Sequence, residues 1–123
     1  MTARVLKLEQ FLLASLPPSL TDSGWRELRD RVLKMVGEHR ARGVLVDVGE
    51  MDVLDSYATR LLDGLSKMLR LRGARTVVVG LQPGVAFAMA QLGLKLRSSG
   101  TALDVDDGLA YLRRRASRSG DGR

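Results

Sequence analysis

The side chains of this sequence that could do chemistry crowd between Asp47 and Arg60: Asp47, Asp52, Asp55, Ser56, Thr59 and Arg60. The three aspartates offer hard oxygen donors for a magnesium ion. Their spacing fits no defined metal loop, and it describes a solvated acidic turn equally well. Asp47 also stands where some parallel sheets carry a phosphoacceptor aspartate. Such a site needs an acidic pair after the first strand and a lysine late in the sheet; those places hold Leu8-Glu9-Gln10 and Val79-Gly80 here. Ser56 is left. A hydroxyl at a helix start either caps the helix, worth about 1 kcal/mol, or stands ready to receive a phosphoryl group. The cap itself is either Ser56 or Asp55 with Ser56 just inside. Thr59 reads as a second hydroxyl on the solvent side, and Arg60, one turn past Ser56, as a cation able to pair with phosphate.

Nucleophilic catalysis finds no partner for that serine. His39 is the one histidine, set in Glu38-His39-Arg40 at the charged end of a helix, where its role is at most toward the helix dipole. The absence of cysteine excludes thiol catalysis, disulfides and thiolate metal sites. Neither a GxxxxGK[ST] loop nor a GxGxxG fingerprint occurs. No catalytic residue, metal or cofactor is expected.

The elements that must hold Ser56 are legible in the pattern. Val44-Leu45-Val46-Asp47-Val48 is a near-continuous β-branched run, suited to a strand buried on both faces. An acidic turn follows, and then a helix over 56–71. On a wheel of about 100° per residue, Tyr57, Leu61, Leu62, Leu65, Met68 and Leu69 gather on one side. Ser56, Arg60, Asp63, Lys67 and Arg70 gather on the other. Upstream, Arg4 to Leu8 and Phe11 to Leu16 form a hairpin about Glu9-Gln10; Leu6 and Leu8 alternate with Lys7, which gives the first strand an apolar and a wet face near a sheet edge, and Pro17-Pro18 ends the second strand. Thr21, Asp22 or Ser23 caps a helix reaching about Arg40, with Trp25, Leu28, Val32, Met35 and Val36 inward. Downstream, Arg75 to Val79 is a second buried strand. Pro83 opens a third helix with Val85, Met89 and Leu92 inward and Gly93 at its end. Thr101-Ala102-Leu103 is a last short strand, and Asp104 caps a final helix with Val105, Leu109 and Leu112 inward. The order is β-β-α-β-α-β-α-β-α: one α/β domain over 1–115, its sheet mostly parallel after an antiparallel hairpin. Residues 116–123 are rich in Ser, Arg and Gly and are expected to be a disordered basic tail.

Composition narrows the function classes. The 123 residues suit one domain, with an aliphatic core containing two Phe, two Tyr and one Trp. Nothing approaches the ~18 apolar residues of a membrane span, so a soluble cytoplasmic protein is expected, with no membrane partner. The net charge of +6 raises the question of nucleic acid. The basic residues are spread over the helices and the tail and do not interleave with aromatics as a base-stacking surface requires. Ser117 follows Arg114-Arg115-Ala116 in the manner of a basic-directed kinase site, a match that arises easily in such a tail.

Together these residues resemble a known family. Val46-Asp47-Val48 followed by Met51-Asp52-Val53-Leu54-Asp55-Ser56 is similar to the phosphorylation loop of STAS domains, the anti-sigma-factor antagonists and their relatives. The run from Leu71 through Gly80-Leu81-Gln82-Pro83-Gly84-Val85-Ala86, with Thr101-Ala102-Leu103-Asp104, resembles the RsbS-type stressosome antagonists within that family. The likeness implies a non-enzymatic scaffold that assembles with RsbR-type sensor-bearing STAS proteins and sequesters an RsbT-type switch serine/threonine kinase. That kinase is released on phosphorylating the serine of the Asp-Ser pair, which acts on a stress-response, sigma-factor pathway. Carried to this sequence, the phosphoacceptor is Ser56 and its motif carboxylate Asp55, with Asp52, Thr59 and Arg60 completing the partner-binding surface. A free antagonist that binds an anti-sigma kinase directly is the alternative. The basic tail and Pro17-Pro18 depart from the family pattern.

Overall fold

A computed structural model describes residues 2–121. Nine elements follow the expected order. They are β1 (Arg4–Leu8), β2 (Phe11–Ser15), α1 (Asp22–His39), β3 (Gly43–Asp47), α2 (Ser56–Leu71), β4 (Arg75–Val79), α3 (Pro83–Gln91), β5 (Gly100–Ala102) and α4 (Val105–Asp121). The sheet order is β1-β2-β3-β4-β5. β1 and β2 are antiparallel, with Leu8 opposite Phe11, and every later pair is parallel.

That order fixes the layers. Each parallel strand lies beside its predecessor in one direction, and right-handed crossovers then place the intervening helices on one face. α1, α2 and α3 accordingly share a core with Val44, Val46 and Val78. α4 has no strand after it and folds onto the opposite face, over Leu45, Val77 and Val79. The alternating sides of β3 and β4 are therefore both buried, which is why their sequences are continuous apolar runs. Gly108 lets α4 seat: a Cβ there would come within 2.7 Å of Val79 Cγ1 and 2.9 Å of Leu45 Cδ2.

Thr21 is the cap of α1, its Oγ1 accepting from Gly24 N at 3.1 Å. Asp104 caps α4, its Oδ1 accepting from Asp107 N at 2.9 Å. Four expectations need correction. In β1 the inward residue is Val5, and Leu6 is 58% exposed, because α4 lies chiefly over β3 to β5 and leaves the hairpin's outer face open. In α2, Met68 is exposed while Ala58, Thr59 and Ser66 are buried: the small residues turn to the sheet and let the helix approach it. At the C-cap of α3, Leu92, expected inward, is 71% exposed. Finally, the segment expected to be a disordered tail from residue 116 continues α4 as far as Asp121, with the Ala116 carbonyl accepting from Arg42 at 3.5 Å. Residues 122–123 lie outside the described residues.

Candidate functional site

Parallel strands bring their C-terminal ends to one border of the sheet, and three connections meet there. The first follows β3. Asp47 Oδ1 accepts from Gly49 N at 2.9 Å and turns the chain out of the strand. The ladder continues one residue further through Val48 N to Val79 O at 3.0 Å. Met51 and Leu54 are then buried, pinning the turn from below, while Asp52, Val53, Asp55 and Ser56 face solvent.

The second connection follows β4 and is fastened to the first. Gly80 holds φ +77°, and a Cβ on it would lie 3.1 Å from Gly49 Cα. Only glycine supplies both that backbone and that clearance. Gln82 then donates its side-chain amide to the carbonyls of Gly49 at 2.7 Å and Met51 at 3.3 Å. The acidic turn is thus tied at both ends and along its back.

Of the two candidate caps for α2, Asp55 is the one used. It is extended (φ −78°, ψ −178°) and its Oδ1 accepts from Ala58 N at 2.8 Å. Ser56 is therefore the first helical residue. It is exposed, and its hydroxyl makes no hydrogen bond among the described residues. Arg60 is exposed one turn on. It lines a shallow groove against α1 with Arg29, Tyr57 and Met68, and there Arg26 donates to the Tyr57 hydroxyl at 3.2 Å.

Thr59 departs from expectation. It is 3% exposed, and its Oγ1 donates back to Asp55 O at 2.8 Å. A hydroxyl that satisfies itself on the preceding turn can enter a core, so Thr59 belongs to the packing of α2 and not to the surface around Ser56. Nor do Asp47, Asp52 and Asp55 converge: among the described residues, no cluster of three acidic or histidine side chains could hold a metal ion. His39 closes α1, at the border of the sheet where β3 begins, and Ser56 lies beyond the end where β3 finishes. The strand between them is five residues, about 16 Å at ~3.3 Å per residue, so topology alone separates histidine from serine.

Two features of the site were not read from the sequence. One is the Gln82 clamp. The other is an apolar groove of about 350 Å³ between the start of α2 and α3, lined by Val53, Ser56, Val85, Met89, Leu92 and Leu94 among others. The available signal was the lack of any charged residue from Gly80 to Leu94.

The arrangement presents an exposed serine side chain on a braced turn, beside the Asp55 carboxylate and an apolar groove. The STAS domain model matches residues 10–108. RsbRA of Bacillus subtilis (strain 168), an RsbT co-antagonist protein, is 28% identical over 71 residues, 58% of this chain and 26% of that protein; the chain spans about a quarter of that relative. A structure of an RsbS serine-to-glutamate variant from Moorella thermoacetica matches with TM-score 0.80 and 27% identity, over 94% of this chain and 97% of that one. A chain from a structure of the stressosome, described as a signal integration and transduction hub, matches with TM-score 0.77 and 28% identity, over 92% and 98%. With the family model spanning residues 10–108, the site's turn included, the chain belongs to the STAS domain family.

Proposed function

We propose that this protein is a non-enzymatic scaffold and antagonist of a stressosome, with Ser56 as its phosphorylated switch. Unmodified, it sequesters a switch serine/threonine kinase of the RsbT type, together with a sensor-bearing STAS co-scaffold of the RsbR type. The kinase phosphorylates Ser56 and is released to a stress-response, sigma-factor pathway. The likeness to RsbS over nearly the whole of both chains supports the antagonist and scaffold role, and the likeness to RsbRA supports a co-scaffold of related fold.

The observation that carries the reading is the first-turn placement of Ser56. A kinase needs a hydroxyl it can surround, and Ser56 is exposed at the end of an element, with Asp55 taking the capping duty. Transfer moves the γ-phosphoryl group of ATP to Ser56 Oγ, the hydroxyl proton leaves, and ADP departs. The product adds roughly −1.5 to −2 charge. It sits at the positive end of α2, which favours the folded protein. It also stands beside the Asp55 carboxylate, whose repulsion is screened in solvent. The fold tolerates the change, and the docked partner does not. Asp52, Asp55 and Arg60 ring the serine as the partner-contacting set.

The test is incubation with an RsbT-type kinase and ATP, followed by mapping of the modified residue by mass spectrometry. Phosphate at Ser56, absent from Ser56→Ala, is expected; phosphate elsewhere, or none, sinks the reading. A second reading, a free antagonist that binds an anti-sigma kinase directly, is favoured by a domain that closes both of its cores within one chain. Light scattering after mixing with an RsbR-type protein separates the two: a megadalton assembly supports the scaffold, and a persistent monomer or dimer supports the free antagonist.

A further inference from the structure

We infer that the border of the sheet opposite Ser56 is a seat for the phosphate backbone of a nucleic-acid duplex, held without regard to base sequence. This goes beyond the switch reading above and does not depend on it.

Along the sequence the cations are spread over the helices, and folding collects them. Where crossovers join parallel strands, the strand starts and the ends of the preceding helices share one border. Arg40 closes α1, Arg42 precedes β3, Arg72 follows α2 and Arg75 opens β4. Main-chain bonds tie these connections together: Arg75 N donates to Arg42 O at 3.1 Å, and Arg42 N donates to Gln10 O at 2.9 Å. The Arg72 guanidinium lies over the last turns of α1, where a Cβ on Gly37 would be 3.6 Å from its Nη1. α4 reaches the same border from the other face. A Cβ on Gly43, which starts β3, would be 2.9 Å from Leu112 Cδ2. Arg42 reaches the Ala116 carbonyl at 3.5 Å. Residues 113–121 continue the helix, about 14 Å of it at ~1.5 Å per residue. Arg113 and Arg114 are thus carried, exposed, beyond the level of Leu112.

The negative ends of α1 and α2 favour nearby cations, which accounts for Arg40 and Arg72. It does not account for Arg75, which opens a strand, or for Arg114, in the middle of α4. Arg113 is engaged by Glu9. Arg40, Arg72, Arg75 and Arg114 are exposed and have no carboxylate partner among the described residues. Glu38, in the last turn of α1, is the exposed carboxylate close to them in sequence. Other carboxylates collect at the far border, as Glu50, Asp52, Asp55 and Asp104 do. The net charge of +6 is therefore unevenly placed.

The kind of cation and its setting select the occupant. A guanidinium is planar and pairs with phosphate through two parallel hydrogen bonds. A duplex presents a stiff, closely spaced row of phosphates, which suits arginines whose main chain is fixed by a sheet and a helix. A single strand is held by stacking its bases on aromatic rings. Tyr111 of α4 is half-buried, and Arg115 covers its ring at 4.8 Å from the centroid. A basic helix binds a membrane surface by laying its apolar side into the lipid. The apolar side of α4, Leu109 and Leu112, is already packed on the sheet. Leu71, the last residue of α2, is exposed, one side chain where insertion needs a face. Contacts to phosphate alone position a protein on a duplex without reading its sequence. The five residues of β3 separate this border from the Ser56 end, so a duplex at one leaves the other accessible.

The experiment uses the full chain and short fluorescein-labelled duplexes of random sequence, one of DNA and one of RNA, followed by anisotropy from about 50 to about 200 mM salt. Wild type is expected to bind both, with a log–log salt slope of about −3 to −4 for four arginine contacts. Arg72→Gln with Arg75→Gln is expected to weaken binding at least about fivefold at low salt and to bring the slope to about −2. β1 runs against the other strands and sets Arg4 opposite Ser15, at the Ser56 border. Arg4→Gln removes the same charge from that border and is expected to change affinity by less than about twofold. Circular dichroism melts verify folding; should the double variant not fold, Arg114→Gln carries the measurement, with a slope shallower by about one. Absence of duplex binding to wild type at low salt overturns the inference. An equal loss per charge on Arg4→Gln assigns the binding to net charge and overturns it. Binding to phosphatidylserine vesicles without binding to either duplex assigns the border to lipid headgroups and overturns it as well. Each of these results leaves Ser56 as the acceptor.

Discussion

α2 and α3 flank the same groove and are built on opposite plans. α2 is sharply two-sided: Leu62, Leu65 and Leu69 are fully buried, Arg60, Lys67 and Arg70 face water, and a carboxylate caps its start. α3 is short, uncapped by any side chain and apolar on every side, with two residues buried. The contrast separates stability from recognition. α2 is held by the core it covers, and α3 holds little and offers much. A helix whose exposed side is apolar gains nothing for the folded monomer from that side, so substitutions there should be felt by a partner and not by the fold.

The sharpest way to break the contrast is to cut into α2. Leu65→Ala removes a fully buried side chain from the α1–α2 core and is expected to destabilise the protein by about 2–5 kcal/mol, read by urea unfolding. A loss below about 1 kcal/mol would mean that α2 is no more anchored than α3. Asp55→Ala comes next. It removes the carboxylate from Ala58 N and should cost about 0.5–2 kcal/mol; the same measurement on Gln82→Ala reports the neighbouring clamp.

The third expectation concerns acid. Asp63, on α2, is half-buried, and burial pushes its carboxyl up. The Ser98 backbone N–H at 2.8 Å, the Ser98 hydroxyl and Lys67 outweigh that and hold it below the usual aspartate range. The folded pKa is thus below the unfolded one. The resulting stability is present above the ordinary aspartate pKa and is lost as pH falls through the depressed value. Asp63→Asn should therefore lower the melting temperature at neutral pH and make a smaller difference in acid; a penalty that does not depend on pH would assign the effect to packing. The smallest change is expected in α3. Phe87→Ser should shift stability by no more than about 0.5 kcal/mol, and a larger loss would show that α3 supports the monomer after all.

How far the sequence foretold this molecule follows the same division. The buried strands were plain in the β-branched runs of β3 and β4, Pro83 marked a helix start through its backbone, and the Thr21-Asp22-Ser23 run marked another without saying which of the three caps it. What stayed hidden were residues whose role runs against their type. Thr59 and Ser66 look polar, but each hydroxyl bonds the carbonyl four residues back, so they pack like small apolar residues. They join Leu62, Leu65 and Leu69 on the buried side of α2, and Met68 is left exposed. Leu92 looks like core and is not, because Leu94 and Leu96, further along the chain, pack against the α1–α3 core. The Gln82 clamp joins residues 31 and 33 positions apart, and no local pattern carries that information.

The first-turn position of Ser56 has one further consequence. Its oxygen holds up nothing: the cap, the turn and both cores are complete without it. A group added there and later removed meets the same folded molecule each time, with nothing to unfold and nothing to rebuild. The two forms should share one fold and differ in who will bind them. A protein made this way keeps its memory in charge and not in shape, and such a memory is erased as easily as it is written.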